Sequence, residues 1–266
     1  MNRFKRLFNN KISTIGMIHL RALPGTPKYD GSLQKIIDTA LKETEIYLKH
    51  NIDGLLIENM HDIPYVQSKR FKPETVAVMT RITTEIKKII GQNMPCGIQV
   101  LACGNKEALA IAKACHLNFV RVEGFVFSHV ADEGFTDACA GDILRYRKEI
   151  DAENVLIFSD IKKKHSSHSI TSDVSLIETA KAAEFFLSDG VILTGTSTGA
   201  PADRIELDHL KDNLKIPVLI GSGITDANFH EYKRADGVIV GSYYKKDGLW
   251  FNEIDEERLK RFCLGL

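Results

Sequence analysis

Eight apolar runs of strand length alternate with eight stretches of helix length, and this alternation leaves few folds open to the chain. The strand candidates are 14–20, 54–59, 97–102, 119–123, 155–161, 190–194, 218–221 and 238–241. Most are continuous β-branched or Leu-rich runs, as in strands covered on both faces. The helix candidates are 33–49, 74–90, 106–115, 142–150, 175–187, 203–214, 226–233 and 255–262. Pro73 suits a first helical turn, and Ser175 with Glu178 has capping-box spacing. The βα order predicts one α/β domain, a closed (β/α)8 TIM barrel that leaves no strand edge bare. An open doubly wound sheet is the alternative. The 266 residues match one such barrel, assigned to 13–266 behind a basic lead-in, 1–12. The longest strand-to-helix stretch, 124–141, is expected to form a loop over the barrel mouth.

Charge narrows the partners. Lys+Arg and Asp+Glu both number 35, so no global basic field draws the chain to nucleic acid or an anionic membrane. No apolar run reaches the ~20 residues of a membrane span. The five cysteines are odd in number and lack a C-x-x-C pair, which reads as buried thiols in a reducing compartment. A cytoplasmic location follows. The basic opening Met1-Asn2-Arg3-Phe4-Lys5-Arg6-Leu7-Phe8 gives a mitochondrial presequence as the alternative to a short lead-in helix or coil.

In such a barrel, chemistry sits at the C-terminal strand ends. The last two strands both stop at glycine-serine turns, Gly221-Ser222-Gly223 and Gly241-Ser242, with one helical segment between. Turns without Cβ atoms let backbone N–H groups approach an anion, and a helix starting near Asp226 would add to the field. The pair predicts a phosphate site and a small phosphorylated partner. The strand-6 end, Thr194-Gly195-Thr196-Ser197-Thr198-Gly199, could hold a second anion or a sugar hydroxyl, or be a plain flexible loop.

Titratable candidates ring the same face. His19 ends strand 1 and suits acid–base work near neutral pH. Glu58 and Asn59 end strand 2, Gln99 and Cys103 follow strand 3, Arg121 and Glu123 end strand 4, and Asp160 ends strand 5. The carboxylates can move protons or hold a divalent metal, or serve as ion-pair partners for Arg121 and Lys162. Lys162 is the candidate amine, a base or imine former if desolvated. Lys163, Lys164 and His165 next to it give the competing reading, a solvated basic loop. With no His-x-His pair, a zinc centre is disfavoured. Leu23-Pro24-Gly25-Thr26-Pro27 reads as a stiff lid segment beside His19.

These blocks carry a resemblance. The run from Gly16 to Pro27, Asp53 to Asn59, Asp160 to His165, Thr194 to Gly199, Gly221 to Gly223 and Asp236 to Gly248 are together similar to the signature blocks of the BtpA family (BtpA/SgcQ-like proteins), across 13–265. The resemblance implies a phosphate-binding barrel and no particular reaction. It also implies an alternative to catalysis, since the cyanobacterial namesake is associated with accumulation of photosystem I proteins. Strand 3 departs from the family pattern, having Gln99 and then Ala102-Cys103-Gly104-Asn105.

Three functions follow as expectations. The first is an enzyme acting on a phosphorylated sugar or nucleotide-like compound, by isomerisation, lyase or glycosidic-bond chemistry. The second is a non-catalytic assembly or stability factor. The third is a phosphometabolite sensor. A homo-oligomer is compatible with all three.

Overall fold

The computed structural model describes residues 3–265. Eight parallel strands close into a barrel in sequential order. They are β1 (Ser13–His19), β2 (Gly54–Glu58), β3 (Cys96–Gln99), β4 (Phe119–Val122), β5 (Leu156–Asp160), β6 (Gly190–Leu193), β7 (Val218–Ile220) and β8 (Gly237–Val240). Closure is made by β1 on β8, from Ser13 opposite Gly237 to Gly16 opposite Val240. The open-sheet alternative is therefore excluded.

Among the described residues, seven α-helices pack outside the barrel, and an eighth precedes it. The lead-in helix is α1 (Arg3–Leu7); the outer ones are α2 (Leu33–Lys49), α3 (Pro73–Ile90), α4 (Asn105–Ala114), α5 (Ala140–Glu149), α6 (Leu176–Phe185), α7 (Arg204–Asn213) and α8 (Glu256–Leu264). The capping box forms: Ser175 Oγ accepts from the Glu178 amide while the Glu178 side chain accepts from the Ser175 amide.

One expected helix is missing. Between β7 and β8 there is only a 3-10 turn, Phe229–Tyr232. Thr225 and Asn228 exchange side-chain and backbone hydrogen bonds, and Asn228 Nδ2 donates to the Gly223 carbonyl. These local bonds compete with the helical ladder. A phosphate at the β7 turn would thus have no α-helix dipole behind it.

The inner core runs through the barrel and includes Met17, Leu56, Phe119, Phe158, Ile192 and Ile239. Phe4 and Phe8 of the lead-in segment join it from below. Phe4 lies edge-on to Phe158 at 5.8 Å and Phe8 lies 6.0 Å from Phe119. The basic opening thus closes the barrel floor, and its removal would uncover two buried aromatic rings.

The expected loop at 124–141 is more ordered than a plain loop. It forms a hairpin, His129–Ala131 with Gly134–Thr136, and Ser166–Ser167 from the loop after β5 joins as a third antiparallel strand. The hairpin tip carries Asp132 and Glu133 to the mouth.

Candidate active site at the barrel mouth

A cavity of about 530 Å³ opens at the C-terminal strand ends and is lined from all eight of them. Of the expected residues, His19, Glu58, Arg121, Glu123, Asp160, Thr194, Gly221, Ser222, Gly223, Gly241 and Ser242 reach it. Both glycine turns therefore face one space. Asn59, Gly195, Thr196 and Lys162 do not line it.

The four outside have visible employment or a visible cause. Asn59 pins the loop after β3, accepting from the Leu101 amide and donating to Asp62. Asp62 in turn accepts from the Leu23 amide, which ties down the 23–27 segment; that segment adds no residue to the lining, contrary to its expected place as a lid. The Gly195 amide donates to Ser222 Oγ, which itself donates to the Ala200 carbonyl. The Ser222 hydroxyl thus braces the β6 loop against the β7 turn and is spent on that contact. Thr196 lies in the same loop, away from the lining. Lys162 has a left-handed backbone, φ +43°, and its amine donates to the Thr171 carbonyl at 3.3 Å. That local twist turns Lys162 aside and brings Lys163 and Lys164 to the cavity.

The glycines are needed for space. Gly223 has φ +71°, and a Cβ on it would meet the Pro201 backbone at 2.3 Å. A Cβ on Gly241 would approach the His19 ring at 3.1 Å. Among the described residues, no protein acceptor takes the amides of Ser222 and Gly223.

Three ion pairs organise the acidic side. Arg121 grips Asp160 through two nitrogens, Nη2 to Oδ1 at 2.9 Å and Nε to Oδ2 at 3.1 Å, with both side chains buried. Lys163 meets Glu123 at 3.1 Å and Glu133 at 3.6 Å. Glu123 also accepts from the Cys103 amide, and its carbonyl accepts from Asn105 Nδ2. The unusual strand-3 loop thus holds Glu123 in place. Burial pushes the Glu123 carboxyl up, but Lys163 and the Cys103 amide outweigh it and keep it ionised below its ordinary range. Lys163 is held above its ordinary range, its burial overcome by Glu123 and Glu133.

Glu58 differs from Asp160 and Glu123, which are held in close ion pairs. It is buried, lines the cavity, and no protein group among the described residues hydrogen-bonds its side chain. Burial raises it to about 7, against the pull of Arg121 and Lys164. Lys164 is its counterpart: burial and then Arg121 push the amine down to about 8, with Glu58 and Asp160 opposing. An acid near 7 beside an amine near 8 suits proton transfer at neutral pH.

His19 is a neutral imidazole. Burial, then the charge of Lys245, hold it well below 6.5. One ring nitrogen, Nδ1, lies 3.2 Å from the Trp250 carbonyl; a carbonyl only accepts, so Nδ1 carries the proton and Nε2 keeps its lone pair. Lys245 is itself buried and paired with Glu43, which fixes the loop after β8 behind the histidine.

Lys164, Gln99 and Trp250 also line the cavity. Neither Lys164 nor Trp250 was among the expected site residues, and Gln99 was noted only at its strand end. A run of three lysines does not show which one turns inward, and nothing in the sequence reading pointed to Trp250. Among the described residues, no three His, Cys, Asp or Glu side chains are grouped to hold a metal ion. No helix there is long and apolar enough to cross a membrane.

The fold and mouth define a single (β/α)8 barrel whose cavity carries charged side chains from several strand ends. The family model described as the BtpA family matches residues 10–264, and the chain belongs to that family. An uncharacterised Caenorhabditis elegans protein, described as mitochondrial, is 47% identical over 97% of this chain and 94% of its own length. The photosystem I biogenesis protein BtpA of Synechocystis is 32% identical, covering 96% of this chain and 88% of its own. Among solved structures, the (S)-3-O-geranylgeranylglyceryl phosphate synthase of Thermoplasma acidophilum, in complex with sn-glycerol-1-phosphate, aligns with a TM-score of 0.59 at 14% identity, covering 100% of this chain and 98% of that one. At that identity the likeness is one of fold.

Proposed function

We propose that this protein is an enzyme acting on a small phosphorylated metabolite. The carrying observation is that both glycine turns and the unpaired Glu58 and Lys164 line one cavity. The phosphate sits against the Ser222–Gly223 amides and the Gly241-Ser242 turn. Binding energy there positions the remainder of the molecule over Glu58, Lys164 and the lone pair of His19. Arg121, locked to Asp160, supplies fixed positive charge where negative charge develops. The volume suits a sugar phosphate or nucleotide-sized compound.

The name of the Synechocystis relative supports the alternative, an assembly factor. A scaffold has no need of an acid and an amine tuned to neutral pH inside one cavity, so the enzyme reading is preferred. The worm relative's description supports a mitochondrial setting; Phe4 and Phe8 in the floor support retention of the opening segment in the folded protein.

Titration calorimetry with inorganic phosphate tests the anion site. Ser242→Asp is the informative variant, because a side chain at 242 does not meet the backbone clash that any residue at 223 would. A carboxylate there repels the anion, and phosphate affinity should fall at least about tenfold, or ~1.4 kcal/mol. Equal affinities would remove the site.

A further inference from the structure

We propose that Lys164 forms an imine with the bound compound, which narrows the substrate to phosphorylated aldoses and ketoses; the proposal rests on the phosphate site above. Three neighbouring lysines have three different fates. Lys162 donates to the Thr171 carbonyl, and Lys163 is clamped between Glu123 and Glu133. Lys164 lines the cavity, and among the described residues no acceptor or counter-ion contacts its amine. A largely enclosed ammonium without a partner is costly, and the cost falls when the group is neutral. With the amine near 8, about a tenth is neutral and nucleophilic at pH 7.

The geometry also supplies the proton carrier. Glu58 lines the same cavity and feels the charge of Lys164. The Nζ lone pair forms the C–N bond as the carbonyl π bond breaks, and the oxygen takes the Glu58 proton, giving a carbinolamine. The Glu58 carboxylate then accepts a proton from the nitrogen. The nitrogen lone pair forms C=N as the C–O bond breaks, and the departing hydroxyl takes that proton from Glu58 and leaves as water. Amine, carbonyl and carboxylic acid become iminium, water and carboxylate, with no oxidant or reductant. The iminium is an electron sink for breaking a neighbouring C–H or C–C bond.

Pyridoxal 5′-phosphate, a phosphorylated aldehyde, is the probe. The wild-type protein is incubated with it, with and without inorganic phosphate, reduced with borohydride and mapped by peptide mass spectrometry. The expected label lies on Lys164, and phosphate at ten times its dissociation constant lowers it about tenfold. Lys164→Arg should lose that label at an unchanged melting temperature, and Lys162→Met should keep it. Should the arginine variant not fold, the wild-type map decides alone. An unlabelled Lys164 in a protein that binds phosphate overturns the imine and leaves the anion site standing. A label on Lys164 that phosphate does not reduce overturns the phosphorylated-substrate class. If phosphate gives no heat of binding, the underlying anion reading falls instead.

Discussion

Glu58→Gln is expected to unfold at higher urea than the wild type at about pH 8, to coincide with it near pH 4.5, and to lose at least about 10²-fold in turnover. The reason is a carboxyl raised from 4.5 to about 7, chiefly by burial. A raised carboxyl holds its proton more tightly in the folded state. Between the two values the folded state therefore binds more protons, and this group makes stability fall as pH rises. The whole penalty, on the order of 3 kcal/mol, is present above about pH 7 and absent below the unfolded value. Glutamine has no such penalty. Lys164 gives part of the gain back, because Glu58 helps keep it charged. The net gain should raise the melting temperature by roughly 5 °C for a domain of this size. Histidines held low by burial, His61 and His129 at about 4, pull the wild-type profile the opposite way below pH 6.5. They are common to both proteins and cancel in the difference. Superimposed curves at both pH values would show that Glu58 is an ordinary solvated carboxylate. A gain in stability with a loss of turnover is the mark of a group kept strained for chemistry.

Asp160→Asn should produce the largest loss of stability. It leaves the Arg121 guanidinium buried with its bidentate partner neutralised. Breaking a buried pair from one side costs about 3–5 kcal/mol, which lowers the melting temperature by roughly 10 °C. Differential scanning calorimetry reads this directly. The double variant Arg121→Met with Asp160→Leu removes both charges and should recover most of the loss, since an apolar pair of similar volume bears no desolvation cost. It should not recover turnover of the phosphorylated compound. A single variant as stable as the wild type would mean that water, and not Asp160, carries the guanidinium charge.

How much of this was legible in the sequence follows from the range of the forces involved. The barrel was, because continuous runs such as Val155-Leu156-Ile157-Phe158 register burial on both faces residue by residue. Each expected strand overlaps an observed one. The helix expected at 226–233 does not form, because propensity says nothing of the Thr225–Asn228 bonds that replace it. The two turns at the ends of β7 and β8 were legible as glycine-serine pairs in local sequence. Their use was less so: Ser222 spends its hydroxyl on the β6 loop, and Gly223 is required first by Pro201. Choosing among Lys162, Lys163 and Lys164 was out of reach, since it depends on one left-handed residue and on carboxylates brought from β4 and the hairpin. The lead-in reads as a basic amphipathic segment in either a presequence or a helix. Only the barrel's open lower end shows why Phe4 and Phe8 are aromatic.

The most direct measurement is native mass spectrometry of the protein purified from its own host. The account predicts a retained phosphorus-containing compound small enough for a cavity of about 530 Å³, present on the wild type and lost from Ser242→Asp. A bare wild-type protein, or a compound retained equally by both, would contradict it.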